Sequence, residues 1–394
     1  MPEHDPRFDV IADQRGGFAD RWDNMARATG ATAPDALPMW VADMDFPTPE
    51  PILDALREDL ARGVLGYFAQ AERVTEAVAG WMERRHGLSV DPESVRYAPG
   101  VMAVIGTVIE AFARPGEAIV LFSPVYHAFY GKVRRMGREI TECPLRLAGG
   151  RYEMDLDDLE ARLTGRERLV FLCSPHNPGG RLWDAGEVRA LAELCERHDL
   201  VLVSDEIHMD LVFPGHRHIP TAVAAPDIAH RLITVSGASK GFNVAGGETA
   251  FGIIHDAELR ARFDVAHGSR NGTPNRFGMI MLEAAFTRCD AWSDAVRAYL
   301  AENFRIWRQA IGALPGIEVM DMPSTYLSWV DFAGTGMTSE ESHGRIARDA
   351  RLGVNRGPQF GTGGETFQRF NIALPRARLR EAIARMQAAF GDLQ

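Results

Sequence analysis

A single lysine, Lys240, stands in a bed of small residues. Ser236, Gly237, Ala238 and Ser239 precede it, and Gly241, Gly246 and Gly247 follow it. The residues leading in, Leu232, Ile233 and Val235, are β-branched or otherwise apolar, so the lysine falls just past the end of a buried strand. A lysine on a solvated face has no use for small neighbours. One at a strand end, with space beside the backbone, has room for a bulky cofactor. The chemistry that needs this arrangement is a Schiff base between the amine and a cofactor carbonyl. The alternative is a surface loop that carries a chance lysine.

Other reactive residue types recur at the carboxyl ends of apolar runs. The run 117–122 leads to Tyr126, 168–173 to Asn177, and 200–204 to Asp205 and His208. Asp205, at the end of a buried strand, needs a partner for its carboxylate. The protonated nitrogen of a pyridine ring would supply one, which makes pyridoxal 5′-phosphate the cofactor to expect. Asn177 and His208 could then serve its phenolate oxygen, and Tyr126 offers an aromatic face for its ring. Gly100, with the amides of Val101 and Met102 at a helix start, and Ser239 could hold its phosphate. An ordinary Gly-Pro turn at Pro99-Gly100 is the alternative there. Arg369 is a fork suited to a substrate carboxylate. No one of these residues is specific, but their order, each at a strand end, is.

The elements that must position them follow from periodicity. The strands 117–122, 168–173, 200–204, 231–235 and 250–254 are near-continuous apolar runs, as in strands covered by helices on both faces. Their spacing predicts βαβ units, a mostly parallel sheet and a ligand at its carboxyl edge. Helices are expected over 51–62, 71–87, 101–112 and 184–198. Past residue 280 the pattern changes to long helices over 281–313, strands at 325–332 and 367–373, and a terminal helix over 376–390. This gives an α/β fold in three parts. An N-terminal arm, 1–48, is associated with the small domain; the large cofactor-binding domain is 49–280 and a smaller α+β domain is 281–394. Across the end of the arm, Leu37 to Glu50 holds Trp40, Met44 and Phe46 around Asp43 and Asp45. A strand packed on the core with capping carboxylates is the plain alternative for that stretch.

The net charge of −11 leaves no excess of cation for a nucleic-acid backbone. Four scattered cysteines fit buried thiols in a reducing compartment better than a disulfide framework. The polar start and the lack of a long apolar run predict a cytoplasmic protein with no membrane partner. The pairs His216/His218 and Asp205/His208 lack further ligands at metal-site spacing, so no metal is expected. G-T-G-G at 361–364 lacks the strand-to-helix context of a dinucleotide fingerprint.

Taken together, the motifs P-M-W-V-A-D-M-D-F, A-P-G-V, S-P-H-N-P-G-G, S-D-E-I-H, A-S-K-G-F-N and R-F-N-I-A-L-P-R resemble the fold-type I pyridoxal phosphate enzymes, the aspartate aminotransferase superfamily. Within it the resemblance is to the MalY/PatB-type cystathionine β-lyases. It implies that Lys240 is the Schiff-base lysine, that Asp205 partners the pyridine nitrogen, and that Asn177 and His208 lie at the phenolate oxygen. Tyr126 would stack, and Arg369 would bind the α-carboxylate, with Trp40, Asp45 and Asn177 also facing the amino-acid substrate. Tyr67 would act in the neighbouring subunit's site, which implies a homodimer with shared active sites. The implied reaction is carbon–sulfur β-elimination from cystathionine or related cysteine conjugates, giving thiol, pyruvate and ammonia. An aminotransferase of the same fold is the alternative. Two positions depart from the wider pattern. Gly237 stands where a phosphate-binding Ser is common, and Glu248 stands where many relatives carry an Arg. Because a carboxylate beside a phosphate is repelled, Glu248 is expected to point elsewhere.

Overall fold

The computed structural model describes residues 5–69, 72–270 and 272–393. Residues 1–4 of the predicted arm and residue 71 of a predicted helix lie outside them. A seven-stranded sheet runs, edge to edge, Val95–Ala98, Ala250–Ile253, Leu232–Ser236, Val201–Asp205, Glu167–Cys173, Ala118–Ser123 and Glu139–Pro144. The apolar strands alternate their side chains between two cores. Ile119, Leu121, Leu169, Phe171, Val203, Ile233 and Val235 bury on one face. Val120, Phe122, Val170, Leu172, Leu202 and Leu232 bury on the other. Both faces are covered, which is why these strands show no polar alternation.

Five of the strands pair in parallel, as the spacing predicts. Ala250–Ile253 instead pairs antiparallel with both neighbours. The link between 236 and 250 holds only turns, with no crossover helix, so the chain folds straight back. Two strands carry no apolar run and were not expected. Glu139–Pro144 is a half-exposed edge strand, and Val95–Ala98 is a four-residue edge strand with only its ends buried. The helix expected over 71–87 is regular over Glu72–Trp81, then widens through Met82–His86 and stops at Gly87 in the left-handed region.

Past residue 275 the helices Arg276–Arg288 and Asp290–Ile311 lead into a four-stranded antiparallel sheet. Its order is Glu318–Val319, Leu327–Asp331, Phe367–Asn371 and Asn355–Arg356. The terminal helix Arg376–Phe390 has the predicted bounds. The arm is tied to this C-terminal part, because Leu37–Pro38 pairs in parallel with Leu352–Gly353. Among the described residues no helix is long and apolar enough to cross a membrane.

Candidate active site

A cavity of about 380 Å³ opens at the carboxyl ends of the parallel strands. Gly100, Val101, Met102, Tyr126, Asn177, Asp205, His208, Ser239 and Lys240 all line it. Sequence reasoning had not singled out Ala42, Pro99, Cys173, Ile207, Ala245 or Thr249, which complete the wall with Glu248. A larger open groove, about 920 Å³, lies between the 147–150 turn and residues 304–321. Its Arg305 and Arg308 are already paired with Glu302 and Asp321, so size alone does not locate the chemistry.

Asp205 ends its strand buried, with Oδ1 accepting the Ile207 N–H at 3.1 Å. Burial pushes its carboxyl up to about 7, against the pull of that hydrogen bond and of Lys240. A cationic N–H beside it would reverse that shift. His208 is buried and neutral, held down to about 3 by burial and by the charges of Lys240 and Arg369. Among the described residues its Nδ1 has no hydrogen-bond partner. Burial also lowers the Lys240 amine below the usual lysine range, with Asp43 and Asp205 opposing. A lysine so placed is a better base at neutral pH than a surface lysine.

Arg369 is buried and donates to three neutral oxygens: Asn177 Oδ1 at 3.0 Å, the Trp40 carbonyl at 2.8 Å and Asn355 Oδ1 at 2.6 Å. Among the described residues no carboxylate forms an ion pair with it. Burial lowers its guanidinium to about 10. A buried cation with only neutral partners stabilises an incoming anion. Asn177, its Oδ1 engaged by Arg369, keeps its Nδ2 as a donor.

The segment 40–46 crosses this site as a strap, and each carbonyl from residue 40 to 44 accepts a side-chain donor. Arg369 holds Trp40, Asn371 holds Val41 at 2.5 Å, and Lys240 Nζ at 2.6 Å and Tyr326 Oη at 3.0 Å share Ala42. Asn371 and Arg21 hold Asp43, and Asn243 holds Met44. Asn243 also donates to the Phe46 carbonyl at 2.8 Å and accepts the Met44 N–H at 2.9 Å. Three residues past the lysine, it occupies the left-handed region (φ 55°), which asparagine tolerates well. Asn243→Ala is expected to lower the unfolding free energy by about 2–3 kcal/mol in urea denaturation, because it strands three backbone groups. Asn243 and Asn371 sit inside the quoted A-S-K-G-F-N and R-F-N motifs. Their roles stayed hidden because their partners are nearly 200 or more residues away.

At the far end of the cavity the helix Val101–Phe112 starts behind Gly100, whose φ of 86° suits glycine. At Gly237, where the wider pattern commonly has a Ser, a side chain would be crowded by backbone. A Cβ there would lie 3.0 Å from the Thr249 carbonyl oxygen and 3.2 Å from Ala250 Cα. Glu248 is among the residues that line the cavity, and its side chain is exposed.

Two expected substrate residues stand differently. Asp45 is fully buried, bonded to Arg378 and, at 2.8 Å, to Gln14 Nε2, so it fastens the arm and does not line the cavity. The expectation followed its place in the motif, but Arg378 and Gln14 hold its carboxylate, while Ala42 lines the cavity. Trp40 reaches the site through its carbonyl on Arg369, while its indole N–H bonds the Arg21 carbonyl at 2.9 Å. Tyr67 is fully exposed on this chain. His218, one of the considered metal-ligand pair, bonds Glu206 at 3.0 Å instead, while His216 is exposed.

The family model for aminotransferase class I and II matches residues 35–386. The chain belongs to that family. Within the aminotransferase class I and II proteins it is 38% identical to cystathionine beta-lyase PatB of Bacillus subtilis (strain 168), over 97% of this chain and 99% of PatB. Protein MalY of Escherichia coli (strain K12) is 32% identical over 96% of this chain and 97% of its own. Among solved structures of this fold-type I class, the PLP-bound C-S lyase from Staphylococcus hominis superposes with a TM-score of 0.89. It is 29% identical, and the match covers 98% of this chain and 99% of that one.

Proposed function

We propose that this protein is a pyridoxal phosphate-dependent carbon–sulfur β-lyase acting on cystathionine or related cysteine S-conjugates. The observation that carries amino-acid chemistry is the buried Arg369, which has no carboxylate partner among the described residues and donates to Asn177 of the cavity that Lys240 and Asp205 line. The choice of lyase over transferase rests on the likeness to PatB along nearly the whole chain.

The cavity residues fit the cofactor. Asp205 is a carboxyl in want of a cation, His208 Nδ1 lacks a partner, and a helix start faces the same space. Bound there, pyridoxal phosphate supplies a carbonyl for Lys240 and a sink for the electrons left at the substrate's Cα. Asp205 would hold the ring nitrogen protonated, Asn177 and His208 would serve the ring oxygen, and Tyr126 would flank the ring. Val101 and Met102 amides with Ser239 would hold the phosphate. Arg369 fixes the substrate carboxylate, which orients Cα toward Lys240. Lys240 Nζ takes the Cα proton, and the sulfur leaves Cβ as a thiolate. With one water the balance is thiol, pyruvate and ammonia.

We further read the chain as an arm over 1–48, a large domain over 49–280 and a small domain over 281–394, working as a homodimer. Leu60, Val64, Leu65 and Tyr67 form an exposed apolar stretch that a second copy would cover, bringing Tyr67 to its site.

L-Cystathionine is expected to give thiol, pyruvate and ammonia in equal amounts with no 2-oxo acid added. L-Alanine and L-aspartate should convert little cofactor to its amine form. Stoichiometric amine form from those two, with no pyruvate from any thioether, would make the protein an aminotransferase. That second reading is favoured by its 27% identity to arginine–pyruvate transaminase AruH of Pseudomonas aeruginosa.

A further inference from the structure

The charges around the cavity are unbalanced at the end where the anion would sit. Of the described residues that line it, Lys240 is the sole cation, and its nitrogen is committed to the cofactor's carbonyl carbon and not to the phosphate. The acids are Asp205, which is spoken for by the ring nitrogen, and Glu248. Ser239 and the first amides of the helix Val101–Phe112 are neutral donors. Thr249 adds little, since its hydroxyl already donates to the Gly247 carbonyl at 3.0 Å.

Glu248 is also conformationally unusual. It ends the short turn Ala245–Gly247 at φ 42°, ψ 54°, in the left-handed region. Glycine or asparagine would take that shape with less strain, so the turn itself gives no reason for a glutamate. The side chain is exposed and no ion pair is formed by it among the described residues.

Resting on the cofactor reading above, we propose that Glu248 sets the affinity for the cofactor by opposing its phosphate group. Glu248 and the helix start at Gly100 line one cavity of about 380 Å³, so a dianionic phosphate held there meets a like charge, and salt screens that repulsion over a Debye length of about 8 Å. The covalent bond to Lys240 and the helix amides hold the cofactor against that repulsion. Occupancy of the site then follows the supply of free cofactor, where a cation at position 248 would keep it saturated.

The test is a titration of the full-length protein, stripped of cofactor, with two aldehydes. One is pyridoxal phosphate and the other is pyridoxal, which has the same ring and aldehyde without the phosphate. Capture by Lys240 is followed by absorbance and located by borohydride reduction and peptide mass. Glu248→Gln is expected to tighten pyridoxal phosphate about tenfold at low salt, with the gain shrinking as salt is raised. Pyridoxal should bind the variant and the parent alike. Unchanged affinity for pyridoxal phosphate would overturn the proposal. So would an equal gain for both aldehydes, which would mark a structural effect of the strained position. If the parent protein captures neither aldehyde at Lys240, the cofactor reading itself falls, and the proposal with it.

Discussion

Lys240→Ala is expected to abolish turnover of cystathionine while leaving a folded protein. The lysine serves twice, as the covalent holder of the cofactor and as the base at Cα. General base catalysis alone is worth about 10²–10⁴-fold, and loss of the covalent anchor adds to it. A fall of at least about 10⁴-fold in kcat is therefore expected, read as pyruvate release. The fold should survive because Lys240 contributes only one hydrogen bond to the strap, and Tyr326 still holds the Ala42 carbonyl. Circular dichroism checks that half. Residual turnover above a trace in the purified variant would move the base elsewhere.

Asp205→Asn should separate activity from stability. A neutral amide cannot keep the ring nitrogen protonated, and losing one such electrostatic contact costs on the order of 10²–10³ in kcat. The cofactor-free protein should respond in the opposite sense. Burial raises the Asp205 carboxyl from 3.8 to about 7 in the folded protein. The folded state thus binds the extra proton, so stability from this group is full below about pH 4 and declines as pH rises to about 7. Above that the ionised carboxylate costs on the order of a few kcal/mol, and the asparagine variant escapes it. At pH 8 the stripped Asp205→Asn protein should melt higher than the stripped parent. At pH 4 the two should melt alike. An unchanged melting difference across that range would mean the carboxylate keeps water or a counter-ion that offsets its burial.

Much of this site was legible because each chemical residue follows its own apolar strand. Asp205, Asn177, Tyr126 and Lys240 follow four neighbouring strands of one sheet, so strand order alone brings them to one edge. Local patterns could also place Gly100, since a buried helix must start somewhere. What stayed hidden depends on distance along the chain. Ala42 and Tyr326 are an ordinary alanine and tyrosine until folding places them on one another, 284 residues apart. Asp45 was misplaced for the same reason, because its partner Arg378 lies 333 residues on. The antiparallel strand Ala250–Ile253 has the same apolar composition as its parallel neighbours, and direction leaves no mark on composition.

The strap also has a history during synthesis. Its carbonyls wait for Asn243 and Lys240, about two hundred residues later, and then for Arg369 and Asn371, 329 and 330 residues later. At a translation rate of about 5–20 residues per second, that last delay is roughly 20–60 s. Until it ends Met39, Met44 and Phe46, which finish enclosed, lack the part of their core made by Phe370, Ile372 and Leu374. A nascent chain whose residues from 365 onward are still inside the ribosome can carry a formed central sheet and yet have no closed site. The newborn protein depends, for that interval, on whatever shields an apolar N-terminal stretch from its neighbours.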